Sequence, residues 1–173
     1  GGAVLADLIA IVDQSLLRQR EPVHGVARLG MLQTVRAFAL ERLQESGDDA
    51  LVRTAHADLS LALAEETAPA FRFDADAASL DRVEAEHDNL RAALRWCIET
   101  GDADRALRAV AALARFWLVR GHLTEGRRWL GAALALDASA APPGARARAL
   151  HGAGLLAHFQ NDYDIAVEHF RDS

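Results

Sequence analysis

Apolar residues recur at helical spacing through most of the 173-residue chain. From residue 48 onward this pattern predicts helix-turn-helix pairs, with helices near 50–69, 78–100, 103–120, 123–137, 145–160 and 162–172. Gly101 and Gly121 fall just past two of these helices, where a left-handed residue is often needed. Asp102 and Thr124 are the candidate N-caps of the helices that follow. The gaps are short except at 70–77 and 138–144.

The beginning of the chain follows a different pattern. Helical spacing predicts a helix over 3–14, and alternation of apolar and polar residues predicts a strand over 26–32, preceded by a turn at Gly25. Thr34 is the candidate cap of a further helix. Helix, hairpin and helix in this order are the later part of a winged-helix module. We therefore predict a partial winged helix over 1–47, whose preceding helices belong to a longer protein.

Composition supports a mainly helical protein. The chain contains 37 Ala and 19 Arg but no Lys, and only 6% of its residues are aromatic; Ala, Leu and Arg are strong helix formers. The net charge of −6 comes from the middle of the chain, since 48–101 contains five Arg and twelve acidic residues. Such a charge does not favour nucleic-acid coating. No apolar run approaches the length of a membrane span, and no signal segment is visible, so a cytoplasmic protein is expected.

The last two predicted helices resemble a tetratricopeptide repeat. A small residue on the first helix is followed by an aromatic, a small and a large apolar residue on the second, and a looser copy lies 40 residues earlier. Small residues let helices approach closely while large ones fill the groove between them. The pattern predicts tetratricopeptide-like repeats over 48–173, forming an open superhelix truncated at its C-terminus. The predicted packing residues are Ala114, Ala133, Gly154, Tyr163, Ala166 and Phe170.

Three blocks of sequence together resemble one family. They are 12–17 (VDQSLL), 31–43 (MLQTVRAFALERL) and 86–94 (EHDNLRAAL). Together they resemble bacterial transcription regulators of the signal-transduction ATPase (STAND) class, including members of the LuxR and antibiotic-regulatory (SARP) types. The resemblance implies a nucleotide-binding domain, then a winged helix, then helical repeats that sense a signal. A chain without Lys cannot contain the phosphate loop GxxxxGK[ST], so ATP and Mg²⁺ are expected only in a missing upstream domain, and no cofactor is expected here.

This resemblance implies a non-catalytic sensor region that couples ligand or partner binding on the repeats to the ATPase domain. The expected partners are a protein, a peptide or a small signal molecule on the repeat surface, with intramolecular docking to the ATPase domain. A stand-alone scaffold that binds a peptide or protein is the alternative. Direct DNA contact is not expected, because the predicted helix 3–14 carries Asp7 and Asp13 and no basic residue.

Arg beside Trp suggests a partner-binding groove on the repeats, since both are typical interface anchors. The candidates are Arg108, Arg115, Trp117, Arg120 and Arg127. The alternative is that Trp fills the repeat core and that the arginines pair with nearby acidic residues on a solvated face.

No catalytic or metal-binding residue is predicted. Among the seven His, His151, His158 and His169 lack close ligand spacing. The carboxylates at 84, 86 and 88 are interpreted as a solvated helix face. Cys97 is interpreted as a small packing residue, because a reactive thiol needs a basic, partly exposed setting.

Overall fold

A computed structural model describes residues 2–23, 25–71, 76–137, 139 and 141–173, and only the backbone at 2–4 and 143. The chain is mainly helical and divides into two compact units, Gly1–Val52 and Arg53–Ser173. Each unit is described by itself below.

The first unit contains a helix, a β-hairpin and a second helix, as the sequence predicted. The elements are α1 (Gly2–Asp13), β1 (Leu17–Val23), β2 (Val26–Met31) and α2 (Gln33–Ser46). The strands are antiparallel, with Leu17 opposite Met31. The predicted cap Thr34 is wrong: Leu32 precedes α2 and makes no side-chain cap bond. Thr34 therefore lies inside the first turn of the helix.

The second unit consists of consecutive helices, the first of which begins at Asp49, just before the boundary at Arg53. They are α3 (Asp49–Thr67), a 3₁₀ helix (Ala68–Phe71), α4 (Ala77–Ala85), α5 (His87–Glu99), α6 (Ala103–Arg120), α7 (Leu123–Leu134), α8 (Pro143–Phe159) and α9 (Tyr163–Arg171). The prediction of a single helix over 78–100 is wrong. The helix is interrupted at Glu86, whose backbone is non-helical, with φ −96° and ψ 4°. Half of the predicted gap 70–77 (residues 72–75) lies outside the described residues.

Three helices of the second unit end at a left-handed residue. Gly101 and Gly121 have φ of 71° and 78°, as predicted for residues that follow a helix, and Asn161 has φ of 65°. Asn tolerates this conformation better than most residues with a side chain, because it bonds locally. The chain can therefore reverse within two or three residues and begin the next helix.

Of the two predicted N-caps in this unit, one is confirmed. The Asp102 carboxylate accepts a hydrogen bond from the backbone N–H of Arg105 at 3.1 Å. Thr124 is not a cap, since His122 is the residue that precedes α7. Instead, the Thr124 hydroxyl accepts a hydrogen bond from the Gln160 side chain.

Helix α6 occupies the centre of the second unit. Half of its 18 residues are buried, among them Leu113, Phe116 and Trp117. It packs against the 3₁₀ helix, α5, α7 and α8, and α8 in turn packs against α7 and α9. The result is two successive helix hairpins, α6–α7 and α8–α9, joined through their first helices.

Glycines permit the closest approaches between these helices. A Cβ atom at Gly126 would lie 2.7 Å from Leu156 Cδ1 and 2.8 Å from the Trp117 ring, and one at Gly152 would lie 2.7 Å from Ala114 Cβ. A methyl group at either glycine would therefore displace the neighbouring side chains.

The predicted packing residues occupy two kinds of position. Ala114, Ala133 and Ala166 are buried. Gly154 is also buried, because the Phe170 ring lies against it. Phe170 itself and Tyr163 remain partly exposed to solvent. Within the described residues, no helix is both long and apolar enough to cross a membrane.

Candidate functional site

The arginines predicted to bind a partner contact other parts of the same unit. Arg108 donates two hydrogen bonds of 2.8 Å to the carboxylate of Glu65 on α3, and a third to Asp104. Bidentate, charge-assisted bonds of this kind are stronger than neutral ones. Arg108 therefore links α3 to α6.

Two further arginines link other neighbours. Arg127 donates to Gln160 at 2.9 Å and to Asp162 at 2.8 Å, which joins α7 to the turn between α8 and α9. Arg115 donates from Nε to the backbone carbonyl of Phe71 at 3.2 Å. Arg115 thereby satisfies a carbonyl group at the end of the 3₁₀ helix.

Trp117, the aromatic member of the predicted set, is fully buried. Its indole N–H donates to Nε2 of His87 at 3.3 Å, and its ring lies against Gly126. In this conformation Trp117 therefore offers no surface to a partner. Whether the arginines contact one remains a prediction.

Three side chains that were not predicted to act together form a polar cluster, the Glu84–His87–His122 cluster. Their potential ligand atoms all lie within 4.8 Å of one another. His122 Nε2 is 3.3 Å from each carboxylate oxygen of Glu84, and His87 Nδ1 is 3.9 Å from Oε1. The break at Glu86 brings the end of α4 and the start of α5 together, and the turn at Gly121 adds His122.

His87 is the buried member of the cluster, with 4% of its surface exposed. Its ring meets Phe116 edge-on, with the centroids 5.2 Å apart, and lies 4.8 Å from the ring of His122. Burial, followed by the positive charge of Arg91, lowers the pKa of His87 below its ordinary value. The neutral imidazole is thereby favoured.

A strong ion pair lies near the cluster. Arg91 on α5 donates two bonds of 2.6 Å to the Glu125 carboxylate on α7, and Trp129 donates a third at 3.1 Å. The hydrogen bond from Arg91 is the main reason that the pKa of Glu125 falls to about 2. Glu125 therefore stays ionised at any pH near neutrality.

A second arginine borders the cluster itself. Arg120, at the end of α6, pairs with Asp81 on α4, and its Nε lies 3.8 Å from Glu84 Oε2. Arg120 therefore links α6 to α4.

The cluster could have been found in part from the sequence. Glu84 and His87 are three residues apart, a Glu-x-x-His spacing that brings ligands together in helical metal sites. Spacing among His and Cys alone does not reveal this pair, because one of its two members is a carboxylate. His122 lies 35 residues further on and reaches the site only through tertiary packing.

The histidines that were considered lie elsewhere. His151 contacts the Phe170 ring, and His158 contacts Phe159 and Tyr163. Cys97 is buried, and burial raises the pKa of its thiol to about 11, which agrees with a packing role.

An exposed apolar patch lies at the α8–α9 end of the unit. Phe159 and Tyr163 are 56% and 55% exposed, and Val167 and Phe170 are 45% and 39% exposed. Clustered exposed apolar groups are characteristic of interaction surfaces.

Comparison with known proteins places the chain beside a group of bacterial proteins. Two proteins named "Putative HTH-type transcriptional regulator", from Mycobacterium bovis and Mycobacterium tuberculosis, are each 38% identical to this chain over 159 residues. The alignment covers 89% of this chain and 18% of each relative, so the chain spans less than a fifth of their length. No family model matches the chain, and no solved structure matches it. The chain is thus similar to one section of much longer proteins.

Proposed function

We propose that this chain is a non-catalytic, regulatory section of a bacterial transcription regulator. The observation that carries the proposal is the 38% identity over 159 residues with proteins named as HTH-type transcriptional regulators. In this proposal a protein, peptide or small signal molecule binds the helices of the second unit. The response passes to a nucleotide-binding ATPase domain of the STAND class elsewhere in the protein.

The helix hairpins support a tetratricopeptide-like interpretation of the second unit. Gly121 and Asn161 lie 40 residues apart, and each ends the first helix of a hairpin in the left-handed conformation. Gly126 and Ala166, also 40 residues apart, are both buried small residues on the second helix. Repeating units of this kind stack so that each contacts mainly its neighbours.

Ion pairs between different helices of the second unit provide a physical route for coupling. They are Arg108–Glu65 between α6 and α3, Arg91–Glu125 between α5 and α7, and Arg127–Asp162 between α7 and the α8–α9 turn. A ligand that binds one arrangement of these bridges better than another shifts the population toward it. We propose that signal binding acts by changing which of these ion pairs are formed.

DNA contact belongs, in this proposal, to another part of the regulator. The chain has a net charge of −6 and no Lys, and among the described residues six arginines of its second unit form ion pairs with acidic side chains. DNA binding is driven by counterion release when clustered basic groups contact phosphates, and this contribution is expected to be small for this chain.

The test uses the full-length regulator and compares two neighbouring arginines of α7. Arg127 joins α7 to the turn between α8 and α9, whereas exposed Arg128 lies over the Trp129 ring of its own helix. We expect Arg127→Ala to change ATP hydrolysis and target-promoter activity, and Arg128→Ala to leave both unchanged. Circular dichroism checks that both variants are folded. Equal activities in wild type and Arg127→Ala would contradict the proposed coupling.

A further inference from the structure

We propose that the Glu84–His87–His122 cluster binds one divalent transition-metal ion, with zinc the best match. The proposal is independent of the regulatory role above. Two imidazoles and a carboxylate are a common catalytic-type zinc donor set, which leaves a fourth position for water. The same three donors suit Co²⁺ and Ni²⁺, whereas Mg²⁺ and Ca²⁺ prefer all-oxygen sites.

The donor distances are close to those of a formed site. Zinc–ligand bonds near 2.0–2.1 Å in a tetrahedron place donor atoms about 3.4 Å apart. The Glu84–His122 pair already stands at 3.3 Å and the Glu84–His87 pair at 3.9 Å. All donors lie within 4.8 Å of one another, so closing the site needs donor separations to shorten by up to about 1.5 Å.

The three ligands differ in their freedom to make that movement. His87 is fixed between Phe116 and Trp117 at the start of α5. The side chains of Glu84 and His122 are 41% and 30% exposed, so they can rotate toward His87. One rigid and two adjustable ligands can therefore adapt to an ion mainly by rotation of the two exposed side chains.

The surrounding charges do not oppose a dication strongly. The nearest cation, Arg120, is paired with Asp81, and Arg91 is paired with Glu125 and Asp88. When the Glu84 carboxylate turns to an ion, Arg120 keeps its contact with Asp81.

Metal binding changes the tautomer of His87. At present Nε2 accepts a hydrogen bond from Trp117, so the ring proton of the neutral imidazole is on Nδ1. An ion on Nδ1 requires that proton to move to Nε2, where it faces the indole N–H. The buried Trp117 N–H then loses its acceptor, so its environment reports directly on occupancy of the site.

The experiment titrates chelator-treated protein with Zn²⁺ by calorimetry and with Co²⁺ by visible absorption. The indole N–H signals are followed by ¹⁵N NMR. We expect one ion per chain, the intense visible bands of tetrahedral Co²⁺, and a shift of the Trp117 signal. His122→Ala and Glu84→Gln should each lower the affinity by more than about ten-fold. His151→Ala, which removes a histidine outside the cluster, is the matched control and should bind as wild type does.

Substitution of buried His87 is avoided because it could unfold the core; thermal melting verifies that the other variants are folded. Absence of stoichiometric binding overturns the proposal. So does binding that survives both His122→Ala and Glu84→Gln, or that leaves the Trp117 signal unchanged. None of these readouts depends on transcription or ATP hydrolysis, so this proposal and the regulatory one fail separately.

Discussion

At the scale of single residues, small side chains and one tryptophan determine how closely the helices pack. The sequence predicted buried small residues at Ala114 and Ala133, since small residues at repeating positions indicate helix contacts. It also offered Trp117 as a surface anchor, yet Trp117 is fully buried. Trp is common in both places, so its residue type alone does not distinguish them.

Gly126→Ala should destabilise the protein. The new methyl group would lie 2.7 Å from Leu156 and 2.8 Å from the Trp117 ring, so we expect a loss of about 1–3 kcal/mol in the free energy of unfolding. Gly131→Ala on the same helix is the control, because its methyl group meets no atom within 4 Å. That change should stabilise the helix by about 0.5–1 kcal/mol. Urea denaturation measures both, and equal effects would contradict the close α7–α8 contact.

Cys97 should be unreactive in the native protein. Its thiol is buried and has a pKa raised to about 11, so little thiolate is present or accessible near neutral pH. A disulfide reagent should label the chain only after denaturant is added. Rapid labelling of the folded chain would show that the α3–α5–α6 packing around Cys97 opens readily.

At the scale of helices and strands, periodicity predicted most elements but not how they are joined. Helical spacing continues through residues 78–100, so only the structure reveals the break at Glu86. The partners of the arginines were equally hidden. Arg91 and Glu125 are 34 residues apart in the sequence, and Arg108 and Glu65 are 43 residues apart. At such separations the sequence pattern does not indicate which side chains pair.

The Arg91–Glu125 bridge should make stability depend on acid pH. The pKa of Glu125 falls from an ordinary 4.5 to about 2 in the folded chain. Ionised Glu125 therefore contributes fully to the free energy of unfolding above about pH 4.5, and this contribution is lost as the pH falls toward 2. We expect the stability difference between wild type and Glu125→Gln to shrink over that range in urea denaturation.

Glu66→Gln provides the comparison for that experiment. Glu66 pairs with Arg82, but both side chains are more than half exposed, and exposed pairs contribute little. Its effect should be small at every pH. A stability difference for Glu125→Gln that stays constant from neutral to acid pH would argue against the bridge.

At the scale of the whole molecule, composition predicted a mainly helical chain and the alternation of apolar and polar residues predicted a hairpin near its start; the structure agrees with both. They could not predict the Glu84–His87–His122 cluster, because its third member arrives through the packing of α6 on α5. A fold must be known before such a cluster can be recognised.

Charge also sets an expectation for nucleic acid. The isolated chain, with a net charge of −6, should show no submicromolar binding to generic duplex DNA at moderate salt in gel-shift assays. A poly-Arg peptide of similar length provides the positive control. Tight, salt-sensitive binding would contradict this expectation and show that the chain contacts phosphates.

The central position of α6 has a consequence for how the second unit exchanges its amide hydrogens. Helix α6 is enclosed by neighbours on several sides, whereas α9 packs against α8 and leaves Phe170 and Tyr163 exposed. Amides in α9 can therefore open with little loss of buried surface, while those in α6 exchange only when much of the unit unfolds. Deuterium uptake should run in that order, from the last helix inward, and any ligand that slows exchange in α9 alone would locate its own binding surface.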